Sequence, residues 1–360
     1  MKLVWLFFIA LGLSISAHAE EITIVGELHQ PIPLTKQDRL SRTLKATSPR
    51  EVTLLKLALS DNAKQSFMHR ANMLTAPGND TFMASANGMQ RVQLGMNNVP
   101  VLDQGSHGTC ATFANTAAID AILGQGDYIS QLCHLQLGRH LQNVAYSPSG
   151  WQGSFGPVVL SQLDKFGIIS KENQRKYGCG GETEYPRLKG EPATEMSLLE
   201  FHNLSEGVYE KQIAWSSLVD VWQFISKEID PSTTLEQVKR SLREGDRVTF
   251  GVLLVDIQLG MVGAVGKHQV ANDTWTLTPE IINDLQSNHA WDNAGGHEMI
   301  ITGYDDEALA RDQYGRQYRG LLTLRNSWGA KAGNQGDFYM TYDYFRTLTL
   351  EAQRIRRLIP

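Results

Sequence analysis

The sequence predicts an α+β fold in which helices come early and strands late, and three sets of residues carry that expectation. Ala111 to Leu123 is Ala-rich with Phe113, Ala117 and Ile122 as apolar positions, and Gly124 stops it as a helix terminator. Val158 to Phe166 reads as a second helix ended by Gly167. Thr233 to Glu244 reads as a third, with Thr233 and Glu236 at capping-box spacing and Gly245 just past its end. Strands follow. Val248–Val255, Met299–Thr302, Leu321–Leu324 and Asp337–Thr341 are short apolar runs of strand length. Segregated helices and strands argue against alternating βαβ units. No internal repeat is present.

Composition bounds the function classes. The chain has 360 residues, 42% hydrophobic and 20% charged, which is ordinary globular usage and excludes disorder throughout. A net charge of −5 supplies no electrostatic footprint for nucleic acid or an anionic membrane surface. Residues 1–19 stand apart. Lys2 precedes a nearly unbroken apolar run from Leu3 to Ile15, and Ala17-His18-Ala19 is a small-x-small exit. That layout predicts a secretory signal peptide cut after Ala19, hence a secreted or periplasmic protein without stable membrane insertion. The run is short for an anchor crossing a hydrocarbon core of about 30 Å.

Residues 20–92 form a second unit by pattern. Ile22–Val25 predicts a strand closed by a turn at His29-Gln30-Pro31, and the polar, basic stretch from Thr35 to Ser48 predicts an exposed connection. Glu51–Leu59 carries both a capping signal at Ser48-Pro49-Arg50-Glu51 and an alternation over Leu55–Leu59. The alternation favours a strand, with a helix from Asp61 to Leu74 after it and a linker over 75–92. A hairpin plus a helix is too small to be stable alone, so it should dock on the main domain, residues 93–360. Position and size make it a pro-segment acting in cis, with a permanent accessory layer as the alternative.

Chemistry concentrates at three distant places. Gln104-Gly105-Ser106-His107-Gly108-Thr109-Cys110 runs a glycine-rich loop into a helix with cysteine at the junction. Free N–H groups and the helix dipole there favour a thiolate, so an acidic nucleophilic thiol is expected, and the same N–H groups can hold an oxyanion. Gly295-Gly296-His297 opens the strand Met299–Thr302, and Asn326-Ser327-Trp328-Gly329 follows the strand Leu321–Leu324. Adjacent antiparallel strands can set His297 beside Asn326, which would orient the imidazole toward the thiol. The chain has three cysteines, Cys110, Cys133 and Cys179. An odd count in an exported protein suggests one bridge and one free thiol, and parity alone leaves the pairing open.

Taken in order, these motifs resemble the papain-like cysteine peptidases, over about residues 93–345. The resemblance implies a two-lobed fold, a helical lobe beside an antiparallel sheet or barrel. It implies Cys110 as nucleophile, His297 as base and acid, Asn326 as orienter, and Gln104 with the Cys110 amide as oxyanion hole. Trp328 would shield the His–Asn bond, and Gly153 with Ser154, in Gln152-Gly153-Ser154-Phe155-Gly156, would meet the substrate backbone. It leaves Cys110 free and makes Cys133 and Cys179 the candidate disulfide. The implied activity is hydrolysis of peptide or protein substrates through a thioester, with no cofactor and no metal; that it is made as a zymogen rests on the position of residues 20–92, which show none of the family's helical pro-segment signatures. Departures from the family pattern are His107 in place of a cysteine, Ala111 in place of a tryptophan, Ala332-Gly333 after the Asn-Ser-Trp-Gly motif, and an insertion from Asp305 to Arg319, expected as a hairpin near the site. His107 reads as a loop residue filling the vacated cysteine place, and His134 and His140 as solvated surface side chains. Two other activities fit parts of the pattern: acyl transfer of the transglutaminase or amidase kind, and binding by a catalytically dead scaffold.

Overall fold

The computed structural model describes residues 21–31, 51–75, 90–188, 190–226, 230–255, 273–287, 290–292, 294–312 and 314–358. The expected signal peptide, residues 1–19, and the expected connection over 35–48 lie outside them. The architecture is α+β, with a run of helices from Cys110 to Leu204 set between an early pair of strands and the later ones. First come β1 (Ile22–Pro31), β2 (Glu51–Leu59), α1 (Asp61–Thr75) and β3 (Arg91–Gln93). A helical region follows: α2 (Cys110–Leu123), α3 (Gln131–Asn143), α4 (Gly156–Phe166), α5 (Lys171–Tyr177) and α6 (Leu198–Leu204). Then come β4 (Ile213–Val219), α7 (Val221–Ser226), α8 (Pro231–Arg243) and β5 (Arg247–Leu254). The chain closes with β6 (Thr274–Trp275), α9 (Pro279–Gln286), β7 (Gly295–Arg311), β8 (Gln317–Arg325), β9 (Asp337–Thr341), α10 (Tyr342–Leu348) and β10 (Thr349–Arg357).

Among the described residues the strands form one sheet in the order β4-β10-β5-β7-β8-β9-β6, with β2 and β3 attached to β7 and β1 to β2. All pairings are antiparallel except β6 with β9. The path has two ends, so the sheet is open rather than a closed barrel. Helix α2 packs against β5, β7 and β10, and every residue from Cys110 to Ala121 is buried. A helix hydrophobic on all sides is one enclosed by other elements, which explains its run of alanines. Its C-cap is Gly124 at φ 70°, the left-handed position glycine takes without strain.

Several expectations need correction. β1 runs through the expected turn at His29-Gln30-Pro31, because β2 supplies partners as far as Glu51. Helix α8 begins at Pro231 with Asp230 as its cap, not at Thr233; Asp followed by Pro at the first helical position was the stronger signal. The insertion forms the β7–β8 hairpin as expected, but its tip lies at the end of β7 opposite His297, with Arg316 held by Glu280 and Asp312. His134 is buried, not solvated, and burial pushes its imidazole down to about 4. His140 pairs with Glu195 at 2.9 Å.

Cys133 and Cys179 are bonded, with Cα atoms 4.8 Å apart and 46 residues between them in sequence. The bridge sits in a core of Leu132, Leu135, Trp151, Ile169 and Phe201. Closing a loop of this length in the unfolded chain stabilises the fold by about 4 kcal/mol. Cys133→Ser is therefore expected to lower the urea midpoint of the oxidised protein. An unchanged midpoint would show that the bridge adds nothing.

Candidate active site

The loop before α2 brings Cys110 to the helix tip without a side-chain cap on Thr109, which leaves the first N–H groups of the helix free of a capping oxygen. The backbone N–H groups of Cys110, Ala111 and Glu298 all reach the Cys110 sulfur. The last of these matters most, since Glu298 follows His297 on β7. The helix tip and the strand start thus meet at the sulfur, while no hydrogen bond joins it to His297 Nδ1.

His297 opens β7 opposite Val252 of β5. Asn326 stands just past β8, and its Oδ1 lies 2.9 Å from His297 Nε2. Asn326 Oδ1 also accepts the Ser327 N–H at 2.7 Å. That second bond fixes which end of the amide faces the ring, so Nε2 must carry the proton and donate. Nδ1 is then the free base nitrogen. It is buried and has no hydrogen-bond partner among the described residues. Trp328 is stacked on the imidazole, centroids 4.6 Å apart at 28°, and is only 2% exposed. Trp275 and Phe338 pack on Trp328 in turn. The His–Asn bond is therefore dry, which strengthens it.

Gln104 is held in the same wall. Its N–H bonds the Ser327 carbonyl at 2.8 Å, and its Oε1 accepts the Ser327 hydroxyl at 2.7 Å. Nε2 donates to His107 O at 2.8 Å and lies 3.5 Å from Thr53 O of β2. The Ser327 bond on Oε1 fixes the amide and makes Nε2 its donor end. His107 itself sits edge-on to Trp151 and Tyr185, with Nε2 2.8 Å from Pro186 O, a packed loop residue as expected.

The cleft is filled by the N-terminal segment. β2 pairs with β7 at Leu55↔Gly296 and Lys56↔Gly295. It must use the edge that β8 leaves open, because β5 occupies the other edge and β8 pairs only from Ile300 onward. A Cβ at Gly295 would lie 2.6 Å from Leu54 Cβ, so glycine there permits the approach. Gly153, at φ +113°, would put a Cβ 2.6 Å from Leu55 Cδ2. Gly108 donates its N–H to Glu27 Oε1 of β1 at 2.7 Å. Gly153 and Ser154 thus meet the Leu55 side chain rather than a paired backbone; Ser154 lines the small cavity beneath Leu55 and Leu57.

This lid overturns one expectation. The Cys110 thiol is not acidic here: burial first, and the neighbouring Glu298 carboxyl second, push it up to about 12 against the pull of the three N–H groups. Burial likewise pushes His297 down to about 4, with the Asn326 bond opposing. At neutral pH the covered pair is therefore thiol and neutral imidazole. Local sequence shows the helix tip but not the burial the fold imposes on it.

Among the described residues no group of three or more His, Cys, Asp and Glu side chains could hold a metal ion. No family model matches the chain, and no curated protein matches it. Among solved structures it is similar to xylellain, a cysteine protease from Xylella fastidiosa, at 19% identity and TM-score 0.48, over 76% of this chain and 88% of that one. It is similar to a digestive procathepsin L of Tenebrio molitor larval midgut at 17% identity and TM-score 0.43, over 82% and 79%. It is also similar to the ragweed pollen cysteine protease Amb a 11 in its proform, at 16% identity and TM-score 0.43, over 83% and 76%. At these scores the chemistry of the site rests on its own geometry.

Proposed function

We propose that this chain is an exported cysteine peptidase of the papain-like kind, folded in a self-blocked form with residues 20–92 as its pro-segment and 93–360 as its catalytic domain. The observation that carries the reading is a dry, oriented His297–Asn326 pair at the strand start whose next residue touches the Cys110 sulfur. In the open enzyme, the Cys110 proton passes to His297 Nδ1 as sulfur attacks the scissile carbonyl. The oxyanion meets the Cys110 N–H and Gln104 Nε2. His297 then gives its proton to the leaving amine as the carbon–nitrogen bond breaks, and a thioester remains. Water, deprotonated by His297, releases the acid and restores the thiol. Export is supported by the apolar stretch 1–19 and by the Cys133–Cys179 bond, since disulfides persist in oxidising compartments.

The blocking role is supported by β2 itself. Thr53 O lies within 3.5 Å of the candidate oxyanion donor, and Leu55 covers Gly153. A competing role for residues 20–92, as a permanent layer, draws support from the depth of α1 in the main core, where Phe67 is fully buried against Phe224 and Trp291. Sequencing the new N-terminus of incubated protein, with peptide products identified by mass spectrometry, tests both readings. Active protein that keeps an uncut N-terminus would refute the zymogen, and products joined to added amines would point to acyl transfer instead of hydrolysis.

Gln104→Ala is expected to lower kcat by roughly 100- to 1,000-fold, the usual cost of one oxyanion donor, with a smaller change in KM. Steady-state kinetics on a fluorogenic peptide checks it. A kcat within a factor of three of wild type would remove Gln104 from the mechanism.

A further inference from the structure

Asn115 lies inside α2, five residues after Cys110, and Glu298 lies on β7, one residue after His297. Each therefore belongs to the element that carries one of the reacting groups. Asn115 is 0% exposed and Glu298 3%. The Asn115 Nδ2 group donates to Ala111 O at 2.9 Å and to Glu298 Oε1 at 2.6 Å, and Asn115 Oδ1 accepts the Thr249 hydroxyl of β5 at 2.8 Å. Both amide hydrogens are thus in use, and the Thr249 bond fixes which end of the amide meets the acid. Asparagine is a poorer helix former than the alanines around it, so this residue lowers the helix's own stability while bonding two strands. Glycine makes room for the acid on two sides. A Cβ at Gly156, which opens α4, would lie 2.7 Å from Glu298 Oε1, and Gly251 of β5 faces Glu298 on one neighbouring strand and Glu351 on the other. Burial first, and the Glu351 charge second, hold the Glu298 carboxyl well above the usual carboxylate range, against the Asn115 bond, so the covered protein keeps it as a neutral acid.

We propose that Asn115 and Glu298 are positioning residues: the bond between them sets the register of the α2 tip against β7 and so holds the Cys110 sulfur within reach of the His297 ring. It rests on the peptidase reading, since without that reaction there is no register to serve. The Glu298 N–H already touches the sulfur, while His297 Nδ1 has no hydrogen-bond partner among the described residues. In the open enzyme the sulfur must turn from the backbone of Glu298 to the ring of His297. The Glu298 side chain, gripping the helix that carries the sulfur, limits how far the two elements can slide during that turn. Neither residue gives or takes a proton in the reaction. Glu298 also lines the small cavity beneath Leu55 and Leu57, so Asn115, enclosed between α2 and the sheet, is the cleaner probe. The competing account is that the bond is one polar contact of a buried core and stabilises the fold alone.

Asn115→Leu, Glu298→Met, the two combined, and Glu298→Gln separate these accounts, with steady-state kinetics read on the activated enzyme and melting temperature confirming each fold. Asn115→Leu and Glu298→Met should each lower kcat about 100-fold, the scale of a misplacement of order 1 Å, with KM for Asn115→Leu within about threefold. The combined variant should be no worse than either single one, because both changes break the same bond. Glu298→Gln keeps an oxygen for Asn115 and should hold kcat within about threefold of wild type. Should Asn115→Leu fail to fold, Glu298→Met against Glu298→Gln decides. Lower melting temperatures with kcat intact overturn the proposal, as does a loss in Glu298→Gln equal to that in Glu298→Met. Alkylation of Cys110 by iodoacetamide across pH, in full-chain Leu55→Asp, gives a readout without substrate and decides alone if wild type cleaves no peptide. A thiol within reach of an imidazole reacts well below the pH at which a lone thiol does. That low-pH reactivity should be present in Leu55→Asp, lost on adding Asn115→Leu and kept on adding Glu298→Gln. Reactivity retained with Asn115→Leu sinks the register and spares the peptidase, whereas no cleavage and no low-pH reactivity in the parent sinks the peptidase reading and the register with it.

Discussion

Cys110→Ala is expected to abolish peptide hydrolysis by the activated enzyme, with kcat/KM down at least roughly 10,000-fold, the scale seen when a covalent nucleophile is removed. No other described thiol can replace it, because Cys133 and Cys179 are joined to each other. The substitution trades a buried sulfur for a methyl group at a helix tip, so the fold should survive. Equal melting temperatures with lost turnover would confirm a chemical role. Turnover retained within tenfold would end the assignment.

Leu55→Asp in the full chain is expected to raise peptide turnover roughly 100-fold over the intact protein. Leu55 is 5% exposed and lies against Gly108 and Gly153. An unpaired carboxylate buried there would be forced toward water at a cost of several kcal/mol, which favours the strand leaving the cleft. The thiol supplies a second readout that needs no substrate. While covered, with its ionisation pushed up to about 12, Cys110 is almost wholly a protonated thiol at pH 7. Alkylation by iodoacetamide should be very slow in the parent and should speed up by orders of magnitude in Leu55→Asp. Unchanged labelling in a variant that is folded by circular dichroism would show that β2 does not gate the sulfur.

Much of the site was legible because its parts are local motifs. Gln104 to Cys110, Gly295 to His297 and Asn326 to Trp328 each announce a turn joined to a helix or strand. The hairpin-and-helix character of residues 22–74 was legible too, from the alternation over Leu55–Leu59 and the fresh helix start at Asp61. What stayed hidden was decided by partners far away in sequence. β10 carries Glu351, Gln353 and Arg354 and reads as polar surface, yet it runs between β4 and β5 with the first two buried. Helix α3 is signalled by its Ser130 cap, which receives the Cys133 N–H. The thiol's ionisation is set by distant parts of the chain for the same physical reason. Helix dipoles act within one turn, whereas the burial that raises the thiol comes from the fold around it.

The seating of α1 has a consequence for maturation. Phe67 lies between Phe224 and Trp291, Ser66 bonds the Ile225 carbonyl at 3.3 Å, and Arg70 reaches the Thr349 carbonyl at 3.1 Å. A single cut between α1 and β3 would sever the backbone but not this grip, so the excised peptide would stay behind as a tight inhibitor in trans. Freshly cleaved protein would then be a silent two-chain species, waking only on dilution, on further digestion of the fragment, or when something else pries Phe67 from its seat.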